Sequence, residues 1–135
     1  MVNYHAERGR MLHRSLEEVY THLRAFLVAD EDGEAIGCAA VDIFWADLAE
    51  VRSLAVAVGR QGRGVGSVLL NAACKEAHRV GVRRLFALTY ETEFFARHGF
   101  EPIDRDALPE KVWRACIGCP KADACDEVAM IKPLP

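Results

Sequence analysis

The sequence predicts a single domain of the α+β class, in which one mixed sheet is flanked by helices. The 135 residues are 51% hydrophobic and 27% charged, a balance that supports one globular core and leaves no room for a second domain. Short apolar segments rich in β-branched residues alternate with segments of helical periodicity. A cluster of four glycines separates one predicted strand from the helix that follows it.

The first half of the chain predicts a helix followed by three strands. Ser15 and Glu18 form a capping-box pattern, and apolar residues then recur at helical spacing, so we expect a helix over residues 15–24. A turn-forming stretch at 30–33 separates two apolar segments, which predicts an antiparallel hairpin. The three strands are expected at 26–29, 34–44 and 48–58.

The second half predicts alternating helices and strands. After the glycine cluster at 59–66, apolar residues at helical spacing predict a helix that begins at Ser67 and ends near Gly81. A second helix is closed by Gly99. The other elements are expected as a strand at 85–88, this helix at 91–98, an extended segment at 100–103 and a last strand at 127–132.

Composition argues against several classes of function. The formal net charge is −3 and the basic residues are scattered, so the electrostatic surface of a nucleic-acid-binding protein is missing. The first twelve residues carry charges and lack the apolar core of a signal peptide, and no apolar run approaches about 20 residues. We therefore expect a cytoplasmic protein without nucleic-acid or membrane partners.

The glycine cluster is the strongest local signal for function. A helix N-terminus leaves backbone N–H groups unpaired and carries a partial positive charge, so a glycine-rich loop ahead of it can bind phosphate oxygens. The spacing matches neither a P-loop nor a G-x-G-x-x-G fingerprint. The alternative is a tight turn without a ligand. The candidate binding residues are Gln61, Gly62, Arg63, Gly64, Val65 and Gly66.

These six residues resemble the acyl-CoA loop of the GNAT acetyltransferase superfamily, Q/R-x-x-G-x-G/A. The segment 94–100 resembles the aromatic, glycine, phenylalanine pattern that ends a later helix in that superfamily, and the likeness spans residues 24–100. Segments 49–56, 88–89 and 108–126 are most similar to the short bacterial N-acetylglutamate synthases. The resemblance implies a GNAT-like sheet, acetyl-CoA as co-substrate, and acetyl transfer to the α-amine of glutamate in arginine biosynthesis.

The resemblance also implies roles for residues on the third predicted strand. Glu50 takes the proton of the amine, directly or through a water, as a strand glutamate does in several GNAT enzymes. Its alternative is a solvated strand carboxylate. The family's strand bulges near Leu54 and Ala55, where freed backbone N–H groups polarise the thioester carbonyl. Val56 continues this cofactor-binding segment.

The group that protonates the departing thiolate differs from the family pattern. Many GNAT enzymes use a tyrosine four residues before the helix-ending glycine, but this chain has Phe95 there. Tyr90 is a possible substitute, because a phenol can donate a proton or a hydrogen bond at neutral pH. Its alternative, and the favoured one, is an aromatic packed at the rim of the site.

A glutamate acceptor carries two carboxylates, for which a guanidinium is the natural bidentate partner. The candidates are Arg52 on the third strand and Arg8 or Arg10 before the first helix. Two other functions stay open. One is a GNAT enzyme acting on a peptide N-terminus or another small amine, and a polyamine acceptor predicts carboxylates in the pocket. The other is a non-catalytic acyl-CoA sensor, which the missing tyrosine favours.

Three of the five cysteines lie close together near the C-terminus. Cys116, Cys119 and Cys125 form C-x-x-C-x5-C, which offers three thiols to zinc or an iron–sulfur cluster but no evident fourth ligand. Reduced structural cysteines or an occasional disulfide are the favoured interpretation, and no metal cofactor is expected.

The single domain is expected to have three parts, a helical acceptor-side segment at 1–25, an acetyl-CoA-binding core at 26–103 and a cysteine-containing tail at 104–135. A full GNAT domain has a strand and a helix ahead of the segment that aligns with residues 8–23, and this chain starts too late for both. A sheet edge without its partner tends to be covered by another chain. We therefore expect a homodimer, or a native start further upstream.

Overall fold

The computed structural model describes Val2, residues 15–108 and residues 127–135, and it places one mixed sheet at the centre of the molecule. The α-helices are α1 (Leu16–Thr21), α2 (Val65–Arg79) and α3 (Thr92–Arg97), with short 3-10 turns at Leu23–Ala25 and Arg105–Ala107. The strands are β1 (Phe26–Glu31), β2 (Glu34–Trp45), β3 (Leu48–Val56), β4 (Arg84–Thr89), β5 (Glu101–Pro102) and β6 (Val128–Pro133). This order along the chain is the one that the sequence predicts.

The sheet combines antiparallel hairpins with one parallel pair. Its strand order is β1-β2-β3-β4-β6-β5, and within the described residues only β3 and β4 run parallel. Helix α2 is the crossover between these two strands, as a parallel pair requires. The expected α+β class with a mixed sheet is confirmed.

The turn between β1 and β2 is shorter than the sequence predicts. Asp32 and Gly33 have positive φ angles of 52° and 85°, the geometry of a two-residue hairpin turn. Asp30 and Glu31, which we expected in the turn, therefore continue β1 and pair with the start of β2.

Helix α1 begins as predicted and ends early. The side chain of Ser15 accepts a hydrogen bond from the Glu18 N–H at 3.1 Å, which confirms the predicted N-cap. At His22 the backbone leaves helical geometry with a φ of −109°, and a tighter 3-10 turn follows. No helix in the described part of the chain is both long and apolar enough to cross a membrane.

Two buried clusters lie on opposite faces of the sheet. The larger one forms where α2 packs with Leu69, Leu70, Ala73 and Ala77. The smaller one consists of Leu48, Phe86, Leu108 and Ala129. Because successive strand residues point to opposite faces, Glu50 and Arg52 share the face of Leu48, away from α2.

The first turn of α2 lies against β2 at Gly37. A Cβ atom on Gly37 would stand 2.7 Å from Leu69 Cδ1, 3.0 Å from Val65 Cγ1 and 3.2 Å from the Ala55 carbonyl oxygen. We expect Gly37→Ala to lower the free energy of unfolding by about 1–3 kcal/mol, because such short contacts force the helix or the strand to move. Chemical denaturation followed by circular dichroism measures this change.

Gly66→Ala is the matched control for that variant. Its Cβ would meet the Phe94 ring at 3.4 Å, and alanine is the better helix former. We expect its free energy of unfolding to equal or exceed that of the wild type. Equal losses in the two variants would show that close packing at Gly37 is not the cause.

Candidate active site

A gap opens in the sheet where the parallel strands separate. β3 and β4 pair only through Leu48, Ala49 and Glu50, with Glu50 opposite Phe86 at the last position. Beyond that point β3 continues to pair with β2 as far as Val56, while β4 continues with β6. The carboxyl-terminal halves of two neighbouring strands thus diverge, and ligands of α/β sheets bind outside such strand ends.

The glycine-rich loop stands at the head of this gap. Gly62 and Gly64 have positive φ angles of 79° and 84°, and Gly64 is the N-cap of α2. A Cβ atom on either glycine would meet nothing within 4 Å, so open space lies beside the loop. The Gln61 side chain donates a hydrogen bond to the Val56 carbonyl at 3.3 Å, which ties the loop to the end of β3. The loop and helix N-terminus therefore have the form that an anion requires.

The arginines of the loop point to the β1–β2 hairpin. Arg63 Nη2 lies 3.5 Å from a carboxylate oxygen of Glu31, and Arg60 pairs with both Glu31 and Glu34 at 3.6–3.8 Å. The structure therefore places the side chain of Arg63, a predicted cofactor-binding residue, against a carboxylate. The backbone of the loop is the part that faces open space.

The aromatic segment predicted from the sequence packs against the loop. The ideal Cβ position of Gly66 lies 3.4 Å from the Phe94 ring, so the first turn of α2 contacts α3. Phe95 is buried, with ring-centroid distances of 5.4 Å to Phe94 and 5.1 Å to Phe100. The position where many family members have a tyrosine is thus part of the hydrophobic core.

A bulge interrupts β3 near the predicted position. Ser53 and Leu54 stand together opposite Ala39, and Ser53 has a φ of 55°. The Cys38 thiol lies 3.4 Å from the Ser53 carbonyl oxygen, within hydrogen-bond distance for sulfur. The expected bulge is therefore present, and it begins one residue before Leu54.

Glu50 is buried and ion-paired. Only 6% of its surface is exposed, so its interpretation as a solvated strand carboxylate is wrong. Its Oε1 lies 3.7 Å from Arg52 Nε, while Arg52 Nη1 donates a hydrogen bond to Asp42 Oδ2 at 3.4 Å. One half-buried guanidinium thus lies between two carboxylates at the point where β3 leaves β4.

Tyr90 lies directly after β4, at the carboxyl end of that strand, and is partly buried. The adjacent Thr89 hydroxyl accepts a hydrogen bond from the Glu91 N–H at 2.8 Å, which fixes the turn that carries the tyrosine. The candidates Glu50 and Tyr90 therefore both stand at the edges of the diverging strands. His98 is the C-cap of α3.

Several predicted residues lie outside the described part of the chain. These are Arg8, Arg10, Cys116, Cys119 and Cys125. Within the described residues, neither Cys38 nor Cys74 is in a disulfide, and no group of three His, Cys, Asp or Glu side chains could hold a metal ion. Burial raises the pKa of the Cys74 thiol, with Lys132 opposing the shift, so this thiol is a weak nucleophile at neutral pH.

The sequence matches a family model described as an acetyltransferase (GNAT) domain, over residues 22–102. The chain belongs to the GNAT acetyltransferase family. It is therefore an acetyltransferase, and the family membership predicted from the glycine-rich loop is confirmed. The diverging strands and the loop are the parts of this GNAT domain that position its site.

Relatives of this GNAT chain include proteins named for an amino-acid substrate. The uncharacterized N-acetyltransferase CT2212 of Chlorobaculum tepidum is 43% identical over 130 residues, 96% of this chain and 84% of that protein. The amino-acid acetyltransferase of Mycobacterium tuberculosis is 35% identical over 76% of this chain and 61% of that protein. That of Neisseria meningitidis serogroup A is 42% identical over 77% of this chain. The match covers only 24% of the Neisseria protein.

Two solved GNAT structures superpose closely on the chain. N-acetylglutamate synthase from Neisseria gonorrhoeae, complexed with coenzyme A and N-acetyl-glutamate, gives a TM-score of 0.90 at 33% identity. That match covers 99% of this chain and 31% of the synthase. Rv2747 from Mycobacterium tuberculosis, in complex with CoA, gives 0.84 at 26% identity and covers 99% and 92% of the two chains.

Asp42 is the site residue that sequence reasoning missed. It lies on β2 directly opposite Glu50 and contacts Arg52. The sequence contains a signal for it, since Asp42 is the one charged residue in the stretch 35–45 of β2. The charge can be assigned to the site only when the register between β2 and β3 is known.

Proposed function

We propose that this GNAT chain transfers the acetyl group of acetyl-CoA to the α-amine of glutamate. The observation that carries the proposal is the buried Glu50 carboxylate beside the Arg52 guanidinium, at the point where β3 and β4 separate. A proton acceptor, Glu50, and a partner for a substrate carboxylate, Arg52, therefore lie in one site. The relatives named amino-acid acetyltransferase and the solved N-acetylglutamate synthase support the same assignment.

Acetyl-CoA is the acetyl donor, and when bound it supplies an activated thioester. The N-terminus of α2, with Gly62 and Gly64 beside open space, fits the pyrophosphate because backbone N–H groups can approach it without a side chain in the way. Beyond Glu50, β3 has no partner strand on its β4 side within the described residues. An extended ligand can therefore lie along this side of β3.

Glu50 accepts the proton of the glutamate amine in this proposal. Its burial limits the water that competes for its oxygens, and Arg52 keeps a positive charge next to it. The bulge at Ser53 and Leu54 breaks the regular register of β3 with β2, and a bulge of this kind can turn backbone N–H groups towards a thioester carbonyl. Leu54, Ala55 and Val56 supply this part of the site.

Tyr90 is the proposed donor to the departing thiolate. Phe95 offers no proton, since a phenyl ring has no ionisable group, and its ring packs against Phe94 and Phe100. Tyr90 directly follows β4, at the end where β4 has separated from β3. A phenol there can donate at neutral pH.

Arg52 is the proposed partner for an acceptor carboxylate, and Arg8 and Arg10 stay predictions because they lie outside the described residues. A homodimer also stays a prediction. The structural reason to expect a homodimer is that β1 is an edge strand of the described sheet.

A second candidate acceptor is a small cationic amine. Asp42 and Glu50 give the described part of the site two carboxylates for one guanidinium, a net charge of about −1. A negative site attracts ammonium groups. This excess of negative charge favours a polyamine as the acceptor.

Thiol release from acetyl-CoA with the purified protein separates these functions. The panel consists of glutamate, glutamine, other amino acids, polyamines and short peptides, with an acceptor-free reaction as control. We expect saturable release with glutamate, and N-acetylglutamate as the product by mass spectrometry. Release only with polyamines or peptides would replace the acceptor. CoA binding without turnover on any acceptor would indicate a sensor and contradict the proposal.

A further inference from the structure

Two carboxylates face each other across the strands that form the site. Asp42 on β2 and Glu50 on β3 are direct partners in the antiparallel register. Both side chains are largely buried, with 16% and 8% of their surface exposed. Like charges in directly opposite positions destabilise a sheet, so this pair requires a compensating positive charge.

Arg52 compensates these charges, but it does so unequally. Its Nη1 donates to Asp42 at 3.4 Å, whereas its Nε stands 3.7 Å from Glu50, beyond direct hydrogen-bond distance. The guanidinium of Arg52 therefore interacts more closely with Asp42 than with Glu50. Within the described residues no hydrogen bond engages Nη2 of Arg52, and 32% of the Arg52 side chain is exposed.

We propose that Asp42 is a positioning residue for the acceptor, which keeps Arg52 from forming a close bidentate pair with Glu50 and leaves Nη2 for an acceptor carboxylate. Without Asp42, the nearest negative charge for the guanidinium is Glu50, and a bidentate pair with that carboxylate would use the donors that the acceptor needs. This inference rests on the proposed function for its substrate, while the position of the guanidinium can be tested without any acceptor.

The first test follows the guanidinium itself by NMR. The Arg52 Nε–Hε signal is identified by its loss in Arg52→Lys. We expect Asp42→Asn to shift or broaden that signal, because the side chain turns to Glu50. Asp47→Asn is the matched control, since the Asp47–Arg84 pair has the same 3.4 Å separation at the other end of β3. An unchanged Arg52 signal in Asp42→Asn would overturn the proposal.

The second test is a double-mutant cycle in steady-state kinetics. We expect Asp42→Asn to raise the KM for glutamate about tenfold and to leave the KM for acetyl-CoA unchanged. In an Arg52→Ala background the same change should have no effect on the KM for glutamate, because Asp42 acts through Arg52. A general structural role would instead alter both KM values and persist without Arg52, and that result would overturn the proposal.

The two tests distinguish the inference from the proposed function. Absence of glutamate turnover in the wild type refutes the substrate, and the NMR comparison still decides whether Asp42 holds Arg52. Glutamate turnover that is normal in Asp42→Asn refutes the inference and leaves the proposed function intact.

Discussion

Glu50→Gln should lower kcat for acetyl transfer about 100- to 1,000-fold. Glutamine has nearly the shape of glutamate but cannot accept a proton, and a positioned base contributes about 10²–10⁴-fold to such a reaction. The replacement removes both the repulsion between Glu50 and Asp42 and the long ion pair of Glu50 with Arg52, and because these two effects oppose each other we expect little change in folding stability. The measurement is thiol release at saturating acetyl-CoA and glutamate.

The pH dependence supplies the control for this variant. If Glu50 serves as the base, the variant depends on acceptor amine that is already deprotonated in solution, so its residual rate should rise about tenfold per pH unit below the pKa of the amine. The affinity for CoA and the thermal unfolding curve should match those of the wild type. A kcat within about threefold of the wild type would show that another group, or water alone, accepts the proton.

Gly64→Ala should weaken the binding of CoA about 10- to 100-fold. Gly64 caps α2 with a φ of 84°, and an alanine there is strained by about 1–2 kcal/mol and is driven out of this conformation. The backbone N–H groups at the start of α2 would then lose their common direction, and one or two hydrogen bonds to phosphate would be lost. Isothermal titration of CoA measures the dissociation constant.

Gly59→Ala is the matched control. Gly59 has nearly the same φ, 87°, and the Cβ of either variant would enter open space, so the backbone strain is equal. Gly59 precedes the predicted binding loop and caps no helix. We expect less than about threefold weakening there. Similar losses in both variants would mean that strain in the loop, not contact with the cofactor, lowers the affinity.

The fold and the glycine-rich loop follow from local sequence signals. The N-cap of α1 at Ser15, the loop at Gly62 and Gly64, and the closure of α3 at Gly99 each depend on the conformational preference of one residue or its neighbours. Such preferences act within a few positions of the chain, and the sequence therefore predicts them. Element ends were less accurate, because a two-residue turn at Asp32 and Gly33 extended β1 beyond its apolar residues.

The electrostatics of the site depend on contacts between distant segments. Glu50 has the same local sequence whether it is solvated or buried, and its burial requires that β2 and β4 lie on either side of it. Asp42 gains its role from one register position across a hairpin, which no single-strand pattern specifies. Likewise, the loop sequence alone predicts Arg63 as a phosphate ligand. Its actual partner, Glu31, lies on the β1–β2 hairpin and is distant in the sequence.

The separation of β3 from β4 divides the sheet into two three-stranded parts that share a short paired segment. Within the described residues, β3 and β4 pair at three positions, the Asp47–Arg84 ion pair adds a contact beside them, and helix α2 connects the two parts. A ligand that lies in the gap and hydrogen-bonds to both β3 and β4 links the two parts of the sheet for as long as it is bound. By mass action, the stability of the folded domain then depends on the concentration of this ligand. The donor of the acetyl group would in this way also be a structural component of the protein that consumes it.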